Sequence, residues 1–329
     1  MRYPIIGDRG SLVQETWDGN ASDQIFSTAH LAASEDFLVV SAPFFAFGWK
    51  RRSAPKLEQI STSFEGVDDI DAHEGHVAVL GVRRGSDGRV APEGGIGWIA
   101  PLVSKPSPPR AILRSVSGSG AHPMVNCPTF GVGGIRFLPN GSVVVIPGVE
   151  AGAFHVAASG KLLTTWSTEL LGIGIDCSFE VEKGNLLSRD PDARWSYLNR
   201  FRTVDEILIV NGVPQLVVRR VESGETLWEL IALEPLGKTS RRRLPIESPS
   251  KLAHIRGDVR DGRVVLLVFD EATFLSPRDP RTKSAEPSRL VVLETGAEAR
   301  MAAAESKLQA PVVGRDKVIR SQQQARPEE

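Results

Sequence analysis

The chain has 329 residues, with 39 Lys+Arg against 40 Asp+Glu, 41% apolar residues and 24% charged. This is the profile of an ordinary globular protein of one large domain or about two smaller ones, which excludes disorder, collagen and coiled coil as whole-chain readings. A formal net charge of -1 offers no global field to nucleic acid or anionic lipid, and no apolar run reaches the roughly 18 residues that span a bilayer.

The N-terminal run Met1-Arg2-Tyr3-Pro4-Ile5-Ile6-Gly7-Asp8 does not read as a secretory leader, because its apolar stretch stops after two residues. That reading expects a cytoplasmic protein. A periplasmic or secreted one would have had its leader removed. With 31 Gly and 22 Pro, helices would be cut to fragments. Val and Ile instead recur in short runs between turn formers, the composition of many short strands.

One pattern returns along the chain: a turn signal, then a near-continuous aliphatic run. It appears at Ser34–Ala42, Glu74–Val82, Asn140–Gly148, Asn211–Arg219 and Asp261–Phe269. Asn-Gly and Asp-Gly favour type I′ hairpins, whose two central residues need positive φ. A run apolar at successive positions is a strand buried on both faces. An apolar strand precedes several of these turns, at 67–72, 134–138 and 252–256. Another follows, at 94–100, 152–157, 226–232 and 289–294, and a more polar one closes several units, at 111–116, 161–166 and 239–244. The unit is therefore four antiparallel strands, the second most buried and the fourth most polar. Val77, Val79, Val143, Val145, Val265 and Leu267 are its expected core. Such a unit has two apolar faces and cannot stand alone, and repetition around an axis buries both.

The segment Gly134-Ile-Arg-Phe-Leu-Pro-Asn-Gly-Ser-Val-Val-Val-Ile146, continued by Phe154-His-Val-Ala-Ala-Ser-Gly-Lys-Leu-Leu163, resembles one blade of the six-bladed NHL and TolB-like β-propellers. The resemblance implies a Pro-Asx-Gly turn between the first two strands and a Gly-Lys-Leu hairpin between the last two. It implies an all-β propeller of four-stranded blades, most simply six, with five or seven open. Strands from both termini (Ser11–Trp17 and Gln24–Ser27; Pro311–Val313 and Lys317–Ile319) would close a composite blade. The expected domain is 1–320, followed by a flexible tail, 321–329. Leu170–Tyr197 fits no unit and could hide a blade of its own.

Chemistry motifs fail on physical grounds. Gly95-Ile-Gly-Trp-Ile-Ala100 has the letters of a dinucleotide fingerprint, but Pro101 follows where a helix is required. His73-Glu-Gly-His76 sits in a turn, and residues 73 and 76 of one strand would face apart. His122-Pro-Met-Val-Asn-Cys127 fits no copper spacing. Cys127 and Cys177 read as buried free thiols, a disulfide requiring an oxidising compartment. Asp68, Asp69, Asp71, His73 and Glu74 read as a solvated acidic turn. Arg241-Arg-Arg243, with Lys238, Arg219 and Arg220, reads as an edge strand protected by charge. No cofactor and no metal are expected.

Loops and inner strands converge at the ends of a propeller channel. Asp69, Asp71, Arg136, Asp205 and Arg256, expected just outside the inner strands, are the candidate binding residues, and their mixed charge suits a polar partner. The chain reads as a monomeric, non-catalytic binding or scaffold module for a protein or small polar ligand. A metal-dependent propeller hydrolase or lactonase is the alternative.

Overall fold

A computed structural model of the protein describes residues 2–6, 12–16, 30–41, 46–51, 58–61, 64–83, 95–102, 107–114, 133–148, 152–176, 183–184, 186–187, 190–248, 253–260, 262–270 and 289–294. His122–Cys127, Cys177, Gln24–Ser27 and both C-terminal strand candidates lie outside them, as does the tail.

The strands fall into antiparallel sheets in chain order. A two-stranded sheet joins β1 (Arg2–Ile6) and β2 (Leu12–Thr16). Four four-stranded sheets follow. The first holds β3 (His30–Ala33), β4 (Phe37–Ser41), β5 (Ala46–Arg51) and β6 (Glu58–Ser61). The second holds β7 (Phe64–His73), β8 (His76–Arg83), β9 (Gly95–Pro101) and β10 (Arg110–Arg114). The third holds β11 (Gly134–Phe137), β12 (Val143–Ile146), β13 (Ala153–Val156) and β14 (Leu162–Trp166). The fourth holds β15 (Thr203–Val210), β16 (Val213–Glu222), β17 (Glu225–Leu233) and β18 (Thr239–Arg243). A three-stranded sheet, β19 (Ala253–Arg260), β20 (Arg263–Asp270) and β21 (Arg289–Glu294), completes the described strands.

Each of these sheets is a meander whose first strand forms one edge. The first strands β3, β7, β11 and β15 neighbour one another in succession, and β15 neighbours β19. Sheets that fan from a shared set of inner edges make a β-propeller. Apolar layers lie between successive sheets. Val77, Val79 and Trp98 face Val39 of the first sheet. Leu80 and Ile96 pack with Val143 and Val145 of the third. Val144 and Ile146 pack with Leu216 and Val218 of the fourth. Val217 and Leu230 pack with Leu266 and Val268 of the fifth. The second strands bury both faces because each face meets a different neighbouring sheet, and β12 is buried at every position.

The fifth sheet departs from this expectation. On β20, Val264, Leu266 and Val268 are buried, but Val265 and Leu267 are only half-buried. Their face of the sheet lies against no other described sheet, so only one side of β20 has a packed layer.

Turn chemistry follows the sequence with one correction. Glu74–Gly75 (φ 41° and 74°) and Asn211–Gly212 (φ 52° and 77°) are two-residue links with both φ positive. At Pro139-Asn140-Gly141 only Gly141 is left-handed, at φ 75°. Pro139 has no N–H to donate back across a two-residue Asn140-Gly141 turn. The loop is instead three residues long: Gly141 N–H donates to the Leu138 carbonyl (2.9 Å) and Leu138 N–H to the Ser142 carbonyl (2.8 Å). It joins the first two strands of its blade. The Gly160 hairpin between β13 and β14 repeats the same bonding.

Leu170–Tyr197 holds no strand among the described residues. It contains α1 (Thr168–Leu171), capped by Ser167 and ended by left-handed Gly172, and α2 (Pro191–Leu198), with Pro at its first position. Ile175, Leu187, Trp195, Tyr197 and Leu198 form a small core of their own. No described helix is long and apolar enough to cross a membrane.

Val145→Asp puts an unpaired charge between two sheets, and thermal unfolding should report a loss of several kcal/mol. Val265→Asp, on the half-buried face, should cost clearly less. Equal losses would contradict the one-sided packing of the fifth sheet.

Candidate functional site

The five candidate residues lie on the inner strands themselves, not in loops beyond them. Asp69 and Asp71 are on β7, Arg136 on β11, Asp205 on β15 and Arg256 on β19. Asp205 and Arg256 sit in the first half of their strands, whereas Asp69, Asp71 and Arg136 sit in the second half of theirs. They form one connected network, completed by Glu206, which the sequence reading missed.

Arg136 is its centre. Its guanidinium donates to Asp69 Oδ2 at 2.5 Å and to Glu206 Oε1 at 2.6 Å, linking the inner strands of three blades. Burial opposes the charge, but Asp69, Glu206 and Asp71 together overcome it and hold Arg136 protonated. The carboxylates do a second job. Asp69 Oδ2 also accepts from Ile135 N–H (2.9 Å), and Asp71 Oδ2 accepts from Phe137 N–H (2.8 Å). One blade later the device recurs. Asp205 Oδ2 accepts from Ile255 N–H (3.2 Å), and Glu206 Oε2 accepts from Gly257 N–H (3.3 Å). In both places an acidic inner strand captures main-chain donors of the next inner strand.

The local backbone explains why these acids point that way. The β7–β8 register skips at Asp68, between Val67 and Asp69. The β15–β16 register skips at Asp205, between Val204 and Glu206. A bulge leaves one residue unpaired and re-aims its side chain. Both bulges carry a valine, two adjacent acids and an isoleucine, Val67-Asp-Asp-Ile70 and Val204-Asp-Glu-Ile207. The receiving strands share Ile135-Arg136 and Ile255-Arg256. This doubled motif was the signal that could have found Glu206. Gly134 fits the close approach: a Cβ there would stand 2.8 Å from Ile207 Cδ1 and 3.0 Å from Asp69 Oδ2.

The two bulged aspartates differ in their surroundings. Asp205 also accepts from Trp228 Nε1 (2.8 Å) and lies 3.2 Å from His254 Nδ1. Burial alone would raise its pKa, yet His254, Arg219 and the Trp228 bond bring it below the ordinary value. Asp68 has a buried Oδ1 that finds no hydrogen-bond partner among the described residues. Burial, with repulsion from Asp69, pushes its carboxyl up to about 7. Burial also raises Asp71, against the pull of Arg136. His30, on β3, lies against the Val67 carbonyl at 3.2 Å, and burial lowers its pKa. The acidic stretch is thus no solvated turn: Asp68 and Asp69 are buried.

The helical insertion reaches the start of β19. Trp195 of α2 stacks near His254, with centroids 4.7 Å apart. Arg219 is fully buried, donating through Nε to the Ala253 carbonyl (3.0 Å) and through a terminal nitrogen to Asn199 Oδ1 (2.8 Å). It therefore does not belong to the surface basic cluster. Arg241–Arg243 occupy β18, the outer edge strand, and are exposed there.

The remaining motifs resolve simply. Gly95–Ala100 lies in strand β9 and is buried throughout, and among the described residues no helix follows before β10. His73 and His76 are directly opposed across the Glu74–Gly75 turn, so their side chains leave the sheet on the same face, a correction to the expectation that they face apart. Among the described residues no three His, Cys, Asp or Glu side chains gather as a metal would require.

No family model matches the chain, and no curated protein does. Solved structures do. A catalytically inactive virginiamycin B lyase from Staphylococcus aureus, with quinupristin, is 9% identical, with 90% of this chain and 78% of that one covered and a TM-score of 0.41. YjhT is 10% identical, covering 80% and 79%, at a TM-score of 0.38. YCF48 bound to D1 peptide is 12% identical, covering 72% and 74%, at 0.35. These similarities assign no activity to this chain.

Asp68 generates a pH prediction. Its carboxyl titrates near 3.8 ordinarily and near 7 when folded. The folded state therefore holds the extra proton between those values, and stability falls as pH rises from about 4 to about 7. Asp68→Asn should remove that decline and, at pH 8, exceed the parent by a few kcal/mol, at about 1.4 kcal/mol per unit. Parallel stability–pH curves for the two proteins would contradict the assignment.

Proposed function

We propose that this propeller is a non-catalytic binding or scaffold module, taking a protein segment or a small polar ligand at a channel end. The observation that supports this is the commitment of the acidic side chains. Asp69, Asp71 and Glu206 spend their lone pairs on main-chain N–H groups, and Asp69 and Glu206 on Arg136 as well. Carboxylates so engaged hold a shape; a general base or a metal ligand needs lone pairs turned toward substrate or ion. A rigid, polar channel mouth bordered by α2 suits recognition.

In this reading the ring is six-bladed in the NHL and TolB-like manner, and β1 and β2 contribute to its sixth blade. The rival is a metal-dependent hydrolase or lactonase working at the same mouth.

Hydrogen exchange of the full chain, with and without a panel of polar metabolites and peptides, tests the proposal. A ligand should slow exchange in segments 134–137 and 253–257. Protection confined to the outer strands would overturn it. Turnover of a lactone or phosphoester that requires one divalent metal per chain, and that is lost in Asp71→Asn, would give the function to the hydrolase.

A further inference from the structure

Arg136 and Arg256 occupy matching places. Each follows an isoleucine whose N–H is held by an aspartate of the preceding blade, Asp69 for Ile135 and Asp205 for Ile255. Their surroundings then diverge. Arg136 is gripped by two carboxylates, from the blade before and the blade after. Arg256 is exposed. One of its terminal nitrogens donates to the Asp205 main-chain carbonyl at 2.8 Å, and among the described residues it makes no ion pair.

The carboxylates of Asp205 and Glu206 are engaged elsewhere, each in three contacts. The Asp205 carboxylate serves Trp228 Nε1, Ile255 N–H and His254. Glu206 serves Arg136, its neighbour Ile207 N–H, and Gly257 N–H. Arg256 nonetheless acts on the channel: its charge bears on His30 of β3 and helps to lower the pKa of that ring. A guanidinium fork with most of its donors open, close to a polar mouth, is matched by a planar or tetrahedral oxyanion.

We infer that Arg256 is the recognition cation of the channel mouth, and that the ligand presents a carboxylate or a phosphate to it. The inference rests on the binding reading above and specifies the chemistry of its ligand. Asp69, Arg136, Asp205 and Glu206 are then the frame, and Arg256 is the residue they leave for the ligand. Arg136 cannot take that role without releasing two buried carboxylates.

The test uses the full chain with inorganic phosphate, acetate and neutral glucose as separate probes, read by calorimetry and by hydrogen exchange of segment 253–257. Binding of phosphate, of acetate, or of both supports the inference and identifies which oxyanion the site takes. Arg256→Gln should weaken that binding roughly tenfold or more. Arg256→Lys, which keeps the charge and loses the fork, should fall between Gln and the parent. Arg242→Gln, on the outer edge strand, should change nothing. Equal anion binding by the parent and Arg256→Gln overturns the inference, as does the absence of anion binding by the parent. Glucose alone protecting 253–257 would overturn it too, yet leave the channel-mouth reading standing. Protection only elsewhere would defeat both.

Discussion

The structure depends on how neighbouring inner strands are joined. Blades of a propeller fan apart, so the inner strand of one cannot run a full hydrogen-bond ladder to the inner strand of the next. Main-chain donors facing that gap would otherwise be buried unpaired, at about 1–3 kcal/mol each. Here carboxylates bridge it. Asp69 and Asp71 take Ile135 and Phe137 N–H, and Asp205 and Glu206 take Ile255 and Gly257 N–H. Arg136 ties the two pairs of blades together by neutralising one acid from each. Apolar layers between sheets hold the blades face to face, but they are not directional. The polar clasp fixes the register in which the faces meet.

That division of labour explains which parts were legible in the sequence. The aliphatic runs of β4, β8 and β12 stand out because both faces of a second strand are buried, so the signal is continuous. The turns stand out because positive φ restricts residue choice, as at Asn211–Gly212. The clasp is harder to see. Two adjacent acids after a valine look like a surface turn until the bulge is known, and a bulge leaves no mark in hydropathy. Asp69, Asp71, Arg136 and Arg256 were found by charge and by nearness to an expected inner strand, and Asp205 by its charge. Glu206 was missed because the first strand of its unit, β15, was itself not recognised as one.

The helical insertion was misjudged for a related reason. Strand repetition suggested another blade for any leftover segment. Yet Pro191 at a helix start, Ser167 as a cap and Gly172 as a stop are helix punctuation. The insertion enters between β14 and β15 and brings Trp195 and Asn199 to His254 and Arg219. Residues far apart in sequence thus meet at the start of β19, and no local pattern could announce it. Gly95–Ala100 shows the converse: the letters of a nucleotide fingerprint stand here in a buried strand.

The most direct test of this account is a double-mutant cycle on Arg136 and Glu206, using Arg136→Met, Glu206→Gln and the pair, measured by equilibrium unfolding at neutral pH. Arg136→Met strands two buried carboxylates and should cost about 3–5 kcal/mol. If the clasp joins the blades, the two substitutions couple, and the double mutant is more stable than the sum of the single losses by at least about 1 kcal/mol. Additive losses would mean that the ion pairs merely accompany the packing, and that apolar layers alone hold the blades in register.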